Sequence, residues 1–364
     1  MKTTSTVRRG TTNVRPKAAP RAKTASGSNG TSRSKSAARA KTALSPKTDP
    51  ELKAKPPVSN SWVGRVPQMK QGIYEDGLPF NEVTYLACKM MLKPNHFDSR
   101  ESLFAFGDVV KKAAKEVGVK FITKGFHKEP LQIREVLFVD TEDFRLYNNA
   151  FILRRRIPYS DGFPIGDPEI VFKFRHPDIQ ACAETDVRPH ILGSHRVKFK
   201  CQALPLKEKL GGIRLLFSHN VQFPRSAMGI TAATGNVLAF DNLIKVFPAL
   251  AHLRKHPGEK IELVSNTIIE EVLQDIGKLD FGEGITAGCD VGIWRTRGEH
   301  RPLIGEFAFQ IKFKDRKELA LEAMQRAEAF FVALQYAAKD YIALKATKTG
   351  VVYQLLGNPP NSHE

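Results

Sequence analysis

Several stretches of this chain alternate between cationic and apolar residues, and this period of two limits its fold more than any other feature. In the run RVKFKC, residues 196–201, a cation occupies every second position and an apolar side chain each position between. Side chains alternate between the two faces of a β-strand, so the run predicts a strand with one basic face and one apolar face. The cations on the five faces of this kind are Arg154 and Arg156, Lys173 and Arg175, Arg196, Lys198 and Lys200, Arg295 and Arg297, and Lys312 and Lys314.

Five basic faces on an open sheet would repel one another with no compensating gain. In a closed barrel the same faces converge on one lumen, where clustered cations require a bound anion. The pattern therefore favours a cavity that binds a polyanion. The alternative is a non-enzymatic nucleic-acid-binding protein that uses a basic tail and a basic sheet together. The lack of aromatic side chains on the basic faces, which base stacking would need, weighs against this alternative.

The first 57 residues differ from the rest of the chain. Twelve Lys and Arg precede the first acidic residue, Asp49, and no periodic apolar pattern accompanies them. Such a segment cannot bury a core, so residues 1–57 are predicted to be disordered. Three roles stay open: a solvated tail, an arm that binds nucleic acid or polyphosphate through counterion release, or an organelle transit peptide. We assign residues 58–80 to an irregular linker, 81–356 to one folded domain and 357–364 to a C-terminal tail.

Cysteine spacing and hydropathy indicate the class of protein. The four cysteines, at positions 88, 182, 201 and 289, are far apart in no metal-binding pattern, which is typical of free thiols in a reducing compartment. No apolar run approaches the length of a transmembrane helix, and no secretory apolar segment follows the start. A cytoplasmic protein is expected, with organelle targeting by the tail as the lesser alternative.

Three neighbouring motifs resemble those of a known family. Residues 138–143, FVDTED, are similar to the Y-F-D-T-P-D turn of the CYTH, or triphosphate tunnel metalloenzyme, superfamily; residues 151–156, FILRRR, are similar to its a-L-R-x-R strand; and Lys173 resembles its single-lysine strand. The resemblance implies an α+β fold, a closed antiparallel β tunnel with helices packed outside. It also implies binding of triphosphate or polyphosphate-type anions, usually with a divalent metal, Mg²⁺ or Mn²⁺, and adds Lys89 to the predicted phosphate-binding residues.

The first predicted strand, residues 81–92, departs from the family pattern. The family carries E-x-E-x-K here, with glutamates that bind the metal. Alignment on Lys89 places Tyr85 and Ala87 at the glutamate positions. Hydrolysis that depends on a metal needs carboxylates to hold a hard cation. Either other residues supply them, or the domain binds its anion with weak or no triphosphatase activity.

Three other acids are the candidate metal ligands. Glu184 and Asp186 share one face of a strand predicted over residues 181–188, and the alternative is that they form ordinary ion pairs with arginines. Glu306 resembles the carboxylate of the family's late acidic strand. Helices are predicted over residues 98–119 and 318–343, with a third over 241–252 that is disturbed at Pro248. Residues 261–277 are assigned to a strand. The closing segment, with Lys345, Lys348 and Tyr353, looks like the family's basic, Gly-containing end.

Overall fold

The computed structural model describes residues 66–228 and 238–357. The predicted tail 1–57, the start of the linker and residues 358–364 lie outside these ranges. The strands are β1 (Tyr85–Leu92), β2 (Lys120–Ile122), β3 (Gln132–Asp140), β4 (Phe151–Ser160), β5 (Phe163–Pro164), β6 (Glu169–His176), β7 (Arg196–Pro205), β8 (Ile213–Pro224), β9 (Leu238–Ala239), β10 (Lys260–Leu263), β11 (Ile269–Asp280), β12 (Thr286–Thr296) and β13 (Pro302–Lys312). The α-helices are α1 (Arg100–Glu116), α2 (Arg145–Asn148), α3 (Ile179–Glu184), α4 (Phe240–Val246), α5 (Leu321–Ala337) and α6 (Lys348–Tyr353).

Nine strands close into a barrel. Their order is β11-β12-β13-β1-β7-β8-β6-β4-β3, and β3 returns to β11 with Arg134 opposite Glu271. The predicted closed tunnel is therefore confirmed. The sheet is mixed and not purely antiparallel, because β1 runs parallel to β7 with Tyr85 opposite Lys200, whereas the other pairs of barrel strands are antiparallel.

The apolar faces of the strands point outward, where helices cover them. On one side, α1 and α5 pack over β1, β7, β11, β12 and β13 in one hydrophobic core. Helix α1 begins at the N-cap Ser99, whose side chain accepts a hydrogen bond from Ser102 N at 3.2 Å, and it buries Leu103, Phe106 and Val110. None of the helices in the described ranges combines the length and apolarity needed to cross a bilayer.

A second outer core covers β4, β6 and β8. Helix α4 and the 3₁₀ helix Pro248–Leu253 pack against it, and the Phe172 and Phe247 rings stack with centroids 4.1 Å apart. The predicted helix over 241–252 is confirmed with its break before Pro248, because proline has no N–H for the α-helical hydrogen bond. Outward burial on both sides leaves the alternate face of every barrel strand for the interior.

Two segments differ from the prediction. Residues 179–184 form helix α3, so the predicted strand over 181–188 is wrong. Asp178 caps this helix by accepting from Gln180 N at 2.7 Å, and Cys182 and Ala183 are buried at helical spacing. The predicted strand 261–277 is divided, since a 3₁₀ turn at Val264–Asn266 separates β10 from β11.

One end of the barrel interior is filled with apolar side chains. Met91, Phe138 and Trp294, from three different strands, belong to one buried cluster with Val352 and Tyr353 of α6. The short C-terminal helix thus closes this end of the lumen, and most side chains that line the rest of the interior are polar or charged.

Candidate functional site

The polar part of the barrel interior is a cavity of about 410 Å³, which we call the basic cavity. Each of the nine barrel strands contributes to its lining, and α6 contributes at the closed end. The cationic lining residues are Lys89, Arg134, Arg154, Arg156, Lys173, Arg175, Arg196, Lys198, Lys200 and Lys348, and the acidic ones are Glu271, Asp290 and Glu306. Ten cations therefore face three carboxylates, a large positive excess inside one enclosed volume.

Eight of the twelve predicted phosphate-binding residues line the basic cavity. They are Lys89, Arg154, Arg156, Lys173, Arg175, Arg196, Lys198 and Lys200. The strand register places cations of β6 and β7 opposite the same residues of β8, which lies between these two strands. Lys198 and Lys173 both lie opposite Asn220 of β8, from its two sides, and Lys200 and Arg175 both lie opposite Ser218. Period-two alternation therefore identified most of the lining.

The four other predicted cations do not line the basic cavity. Arg295 shares a strand face with Val291 and Ile293, which pack into the outer core, so Arg295 points outward and its Nε donates to Glu270 Oε1 at 2.6 Å. Arg297 bonds Glu135 Oε2 at 2.6 Å. Lys312 and Lys314 are exposed and line a separate depression with Tyr85. The expectation that these four residues join the others in one lumen is wrong.

Some cavity cations have no anionic partner among the described residues. Neither Arg154 nor Lys198 lies within ion-pair distance of a carboxylate in residues 66–228 and 238–357, and Arg154 Nε is buried without a hydrogen bond there. Within the described part of the chain, Lys200 donates to the neutral amide of Gln310 alone, at 2.8 Å, and its Nζ lies 5.1 Å from the Tyr85 ring centroid. An unpaired buried cation is costly, so these groups favour binding of an external anion.

The pKa values of the cavity cations reflect burial first and the crowding of positive charge second. Burial, together with Lys89 and other cations, lowers the pKa of Lys200 to about 7. Burial and Arg196 lower the pKa of Lys198 to about 8, and burial and Arg156 lower the pKa of Arg154 to about 9. A nearby negative charge raises such pKa values, so an anion in the basic cavity would favour the protonated forms of these side chains.

Two of the three carboxylates share one ammonium group. Lys348 Nζ lies 2.9 Å from Glu271 Oε1 and 2.9 Å from Glu306 Oε1. Burial by itself raises the pKa of Glu306, but Lys348 and Lys89 outweigh this effect and lower the pKa to about 2. Burial likewise lowers the pKa of Lys348, yet the two carboxylates outweigh it and hold this pKa above its usual value. The three groups form a charged cluster at the closed end.

Neighbouring side chains orient Glu271 within this cluster. Trp294 Nε1 donates to Glu271 Oε1 at 2.8 Å, and Arg134 Nε lies 3.0 Å from Glu271 Oε2. The Lys348 ammonium is also 4.7 Å from the Trp294 ring centroid, a cation–π distance. Both carboxylate oxygens of Glu271 are therefore engaged before any ligand arrives.

Asp290 is the third carboxylate of the basic cavity. Burial, followed by the nearby charge of Glu306, raises the pKa of Asp290 to about 7, although Lys348 and Lys89 act in the opposite direction. Asp290 thus exchanges its proton near neutral pH.

The predicted metal ligands are not brought together. Glu306 lines the basic cavity, but Glu184 and Asp186 do not. Glu184 is exposed at the end of α3, where it accepts from Gln180 Nε2 at 2.9 Å, and Asp186 pairs with Arg188 Nη2 at 2.6 Å. Glu184 and Asp186 do not share a strand face, because residues 179–184 are helical. The alternative of an ordinary ion pair with an arginine describes Asp186 correctly.

Four charged residues of the basic cavity were not among the predicted site residues: Arg134, Glu271, Asp290 and Lys348. Arg134 and Glu271 alternate with outward-facing positions on β3 and β11, so the same period would have identified them once the inner face was known. Lys348 lies at the first turn of α6, where no strand parity applies.

The FVDTED turn positions α6. The buried carboxylate of Asp140 accepts from the backbone N–H groups of Leu146 at 2.8 Å and Tyr147 at 2.9 Å, and from the Tyr353 hydroxyl at 3.0 Å. Burial raises the pKa of Asp140 to about 6 against these hydrogen bonds. This family-like motif therefore holds the C-terminal helix and does not line the basic cavity.

A divalent metal does not fit the arrangement of acids observed. Mg²⁺ needs oxygen ligands at about 2.1 Å in octahedral geometry, and the described residues hold no group of three or more Asp, Glu, His or Cys side chains arranged for a metal. Glu271 and Glu306 are turned toward Lys348, and the lysine nitrogen stands between their oxygens.

Comparison with known proteins found similarity to solved structures. No family model matches the chain, and no curated protein matches it. Similar structures include a Hippeastrum protein described as a candidate adenylyl cyclase with a dominant triphosphatase activity (11% identity, 76% of this chain and 98% of that chain, TM-score 0.35). They also include candidate adenylate cyclases from Bacillus halodurans (12%, 69% and 91%, 0.30) and Vibrio parahaemolyticus (11%, 74% and 98%, 0.28).

Proposed function

We propose that this protein binds triphosphate or a short polyphosphate-type anion in the basic cavity, and that it does so without a divalent metal. The observation that carries the proposal is the excess of ten cations over three carboxylates in one enclosed volume. Two of those carboxylates are already neutralised by Lys348 and by Lys89 or Arg134. Among the described residues, Arg154, Lys198 and Lys200 have no carboxylate within ion-pair distance, so these three cations are available to an external anion.

The arrangement of the cations favours an extended anion over a single phosphate. Cations occupy successive same-face positions on β7, and residues two apart on a strand are about 6.6 Å apart. Lys173 and Arg175 accompany Lys198 and Lys200 across β8. A linear chain of phosphates has charged oxygens at intervals along its length, so it contacts several of these pairs of cations at once.

The closed end favours binding by the terminus of the anion. Helix α6 and its apolar cluster fill one end of the barrel, whereas Arg196, at the other end of the β7 row, is exposed. A polyphosphate therefore enters with its terminal phosphate first. The similarity of residues 138–156 to the CYTH superfamily, whose members bind triphosphate, agrees with this proposal.

We propose that hydrolysis is weak or absent. Enzymes that cleave phosphate chains with Mg²⁺ or Mn²⁺ hold the cation through free carboxylates. Here Glu271 and Glu306 bind ammonium groups, and the predicted partners Glu184 and Asp186 are outside the basic cavity. The Arg and Lys residues alone suffice for electrostatic binding.

Thermal unfolding with tripolyphosphate and EDTA tests this function. A ligand at 100 times its Kd stabilises the folded state by about 2.7 kcal/mol, which is several degrees in Tm for a domain of this size. The double variant Arg154→Gln, Lys198→Gln is expected to lose most of the shift, since both cations lack a carboxylate partner in the described ranges. The control Lys111→Gln, Lys112→Gln removes the same charge from the exposed face of α1 and should keep it. No shift in the wild type, or equal losses in both variants, would disprove the proposal.

A further inference from the structure

At the closed end of the basic cavity, a single lysine stands where two carboxylates from different strands meet. Lys348 Nζ is 2.9 Å from an oxygen of Glu271 on β11 and 2.9 Å from an oxygen of Glu306 on β13. The distance between Glu271 Oε1 and Glu306 Oε1 is therefore at most twice the distance from Lys348 Nζ to either oxygen. All three side chains are largely buried: the exposed fraction is 16% for Lys348, 7% for Glu271 and 8% for Glu306.

Helix α6, which carries Lys348, holds the lysine in this position. Thr347 caps α6 by accepting from Gly350 N at 2.9 Å, which fixes Lys348 at the first helical position. At the other end of the helix, Ser265 Oγ donates to Val352 O at 2.8 Å, and Tyr353 donates to Asp140. The ammonium group is thus presented by a short helix that is attached to the barrel at both ends.

The carboxylates are also held independently of the lysine. Trp294 Nε1 and Arg134 fix the orientation of Glu271, and Lys89 Nζ lies 3.3 Å from Glu306 Oε2. The Lys348 ammonium therefore enters a preformed pair of carboxylates. A preformed pair of buried carboxylates with a cation between them has the chemistry of a divalent metal site, except that the cation here is covalently part of the chain.

We propose that Lys348 is a built-in cation that takes the place of a divalent metal between Glu271 and Glu306, so that Lys348→Ala converts this pair into a site for Mn²⁺ or Mg²⁺. Asp290 also lines the basic cavity, and its carboxylate is the further oxygen ligand within the cavity once the ammonium is gone. The consequence for anion binding, that it needs no metal in the wild type, rests on the proposed function. The exclusion of metal by Lys348 does not depend on it.

The charge cluster explains why removal of Lys348 favours entry of another cation. With Lys348, the two carboxylates face the ammonium groups of Lys348 and Lys89. Without Lys348, two buried carboxylates have lost a shared partner, which is strongly unfavourable unless another cation enters. A divalent ion supplies two positive charges where Lys348 supplied one, which matches the two carboxylates, and it accepts oxygen ligands from both strands.

Titration calorimetry with MnCl₂ on the full chain, without any phosphate, tests this inference. The wild type is expected to show no binding up to millimolar Mn²⁺. Lys348→Ala is expected to bind Mn²⁺ with a Kd at least tenfold below that concentration. Lys89→Ala is the matched control, because it removes the other lysine near Glu306 but leaves Lys348 between the carboxylates; it should gain no site. The double variant Lys348→Ala, Glu306→Gln should lose the gained site.

Thermal unfolding covers the case in which Lys348→Ala is poorly folded. The inference then requires that Mn²⁺ raise the Tm of Lys348→Ala by several degrees while it leaves the double variant with Glu306→Gln unchanged. If Lys348→Ala neither binds Mn²⁺ nor is stabilised by it, or if the wild type binds Mn²⁺ as tightly, Lys348 does not take a metal's place. Failure of tripolyphosphate to bind the wild type would reject the proposed function and leave this result intact.

Discussion

The Tyr353 hydroxyl donates a hydrogen bond to the carboxylate of Asp140 across 3.0 Å and joins residues 213 positions apart in the chain. Because Tyr353 ends the helix that begins at Lys348, this bond connects the FVDTED turn to the closed end of the basic cavity. The Tyr147 ring stacks on the Tyr353 ring with centroids 4.2 Å apart and supports the same contact. A motif at one end of the barrel wall thereby determines where Lys348 is held.

Substitution of either partner should therefore affect both stability and the basic cavity. Tyr353→Phe removes one donor from a buried carboxylate and is expected to cost about 1–2 kcal/mol of unfolding free energy. Asp140→Asn is expected to cost about 3 kcal/mol, because an amide offers one acceptor oxygen where two carboxylate oxygens now accept from Thr141, Leu146, Tyr147 and Tyr353. Urea denaturation measures both costs. Equal, near-zero costs would show that the turn does not hold α6.

Anion binding should be coupled to proton uptake near neutral pH. In the ligand-free protein, burial and neighbouring cations lower the pKa of Lys200 to about 7 and that of Lys198 to about 8, whereas a bound polyanion raises them. We therefore expect binding to take up on the order of one proton at pH 8, to become weaker as the pH rises from 7 to 9, and to take up fewer protons below pH 6. Calorimetry in Tris and in HEPES, whose ionisation enthalpies differ, measures this uptake.

Lys200→Gln should reduce the proton uptake, and Lys111→Gln should leave it unchanged.

The same lowered pKa values predict the pH dependence of stability. The unfolded chain binds more protons than the folded chain between about pH 7 and the ordinary lysine pKa of about 10.4, so the stability of the ligand-free protein should rise with pH in this window. A stability that falls there would mean that Lys200 has its ordinary pKa in the folded state.

Hydrolysis of tripolyphosphate or a nucleoside triphosphate with Mg²⁺ or Mn²⁺ should be slow or absent. Glu306, the acid that resembles a family metal ligand, is engaged by Lys348 and Lys89. Glu306→Ala should preserve most of the thermal stabilisation by tripolyphosphate, because it removes a negative charge from a site that binds an anion. Phosphate release that is rapid, metal-dependent and lost in Glu306→Ala would show a working metal centre.

The basic tail provides a separate prediction. Twelve cations precede Asp49, so deletion of residues 1–57 should flatten the salt dependence of DNA or polyphosphate binding. The Tm should change little, because the segment has too few large apolar residues to build a core. Measurement of log Kd against log salt for both lengths decides the binding role. An unchanged slope would exclude it.

Local alternation was sufficient to predict the strands of the wall and the two faces of each strand. On β7 the positions of Lys198 and Lys200 against Phe199 and Cys201 required only the period of two, which is a property of the extended backbone. Every cation of β4, β6 and β7 that was assigned from this parity lies in the basic cavity. Closure of the sheet was predicted from five basic faces, of which those on β4, β6 and β7 do converge on the basic cavity.

Which face of a strand turns inward was decided only by the tertiary structure. Arg295 has the same parity as Val291 and Ile293, and the outer helices cover those two, so the arginine is outside. Glu184 lies on a segment whose alternation resembles a strand, yet the cap at Asp178 and the burial of Cys182 make it a helix. Lys348 reaches Glu271 and Glu306 from positions 77 and 42 residues away in the sequence. Contacts between such distant segments depend on strand order and barrel closure, which no local period contains.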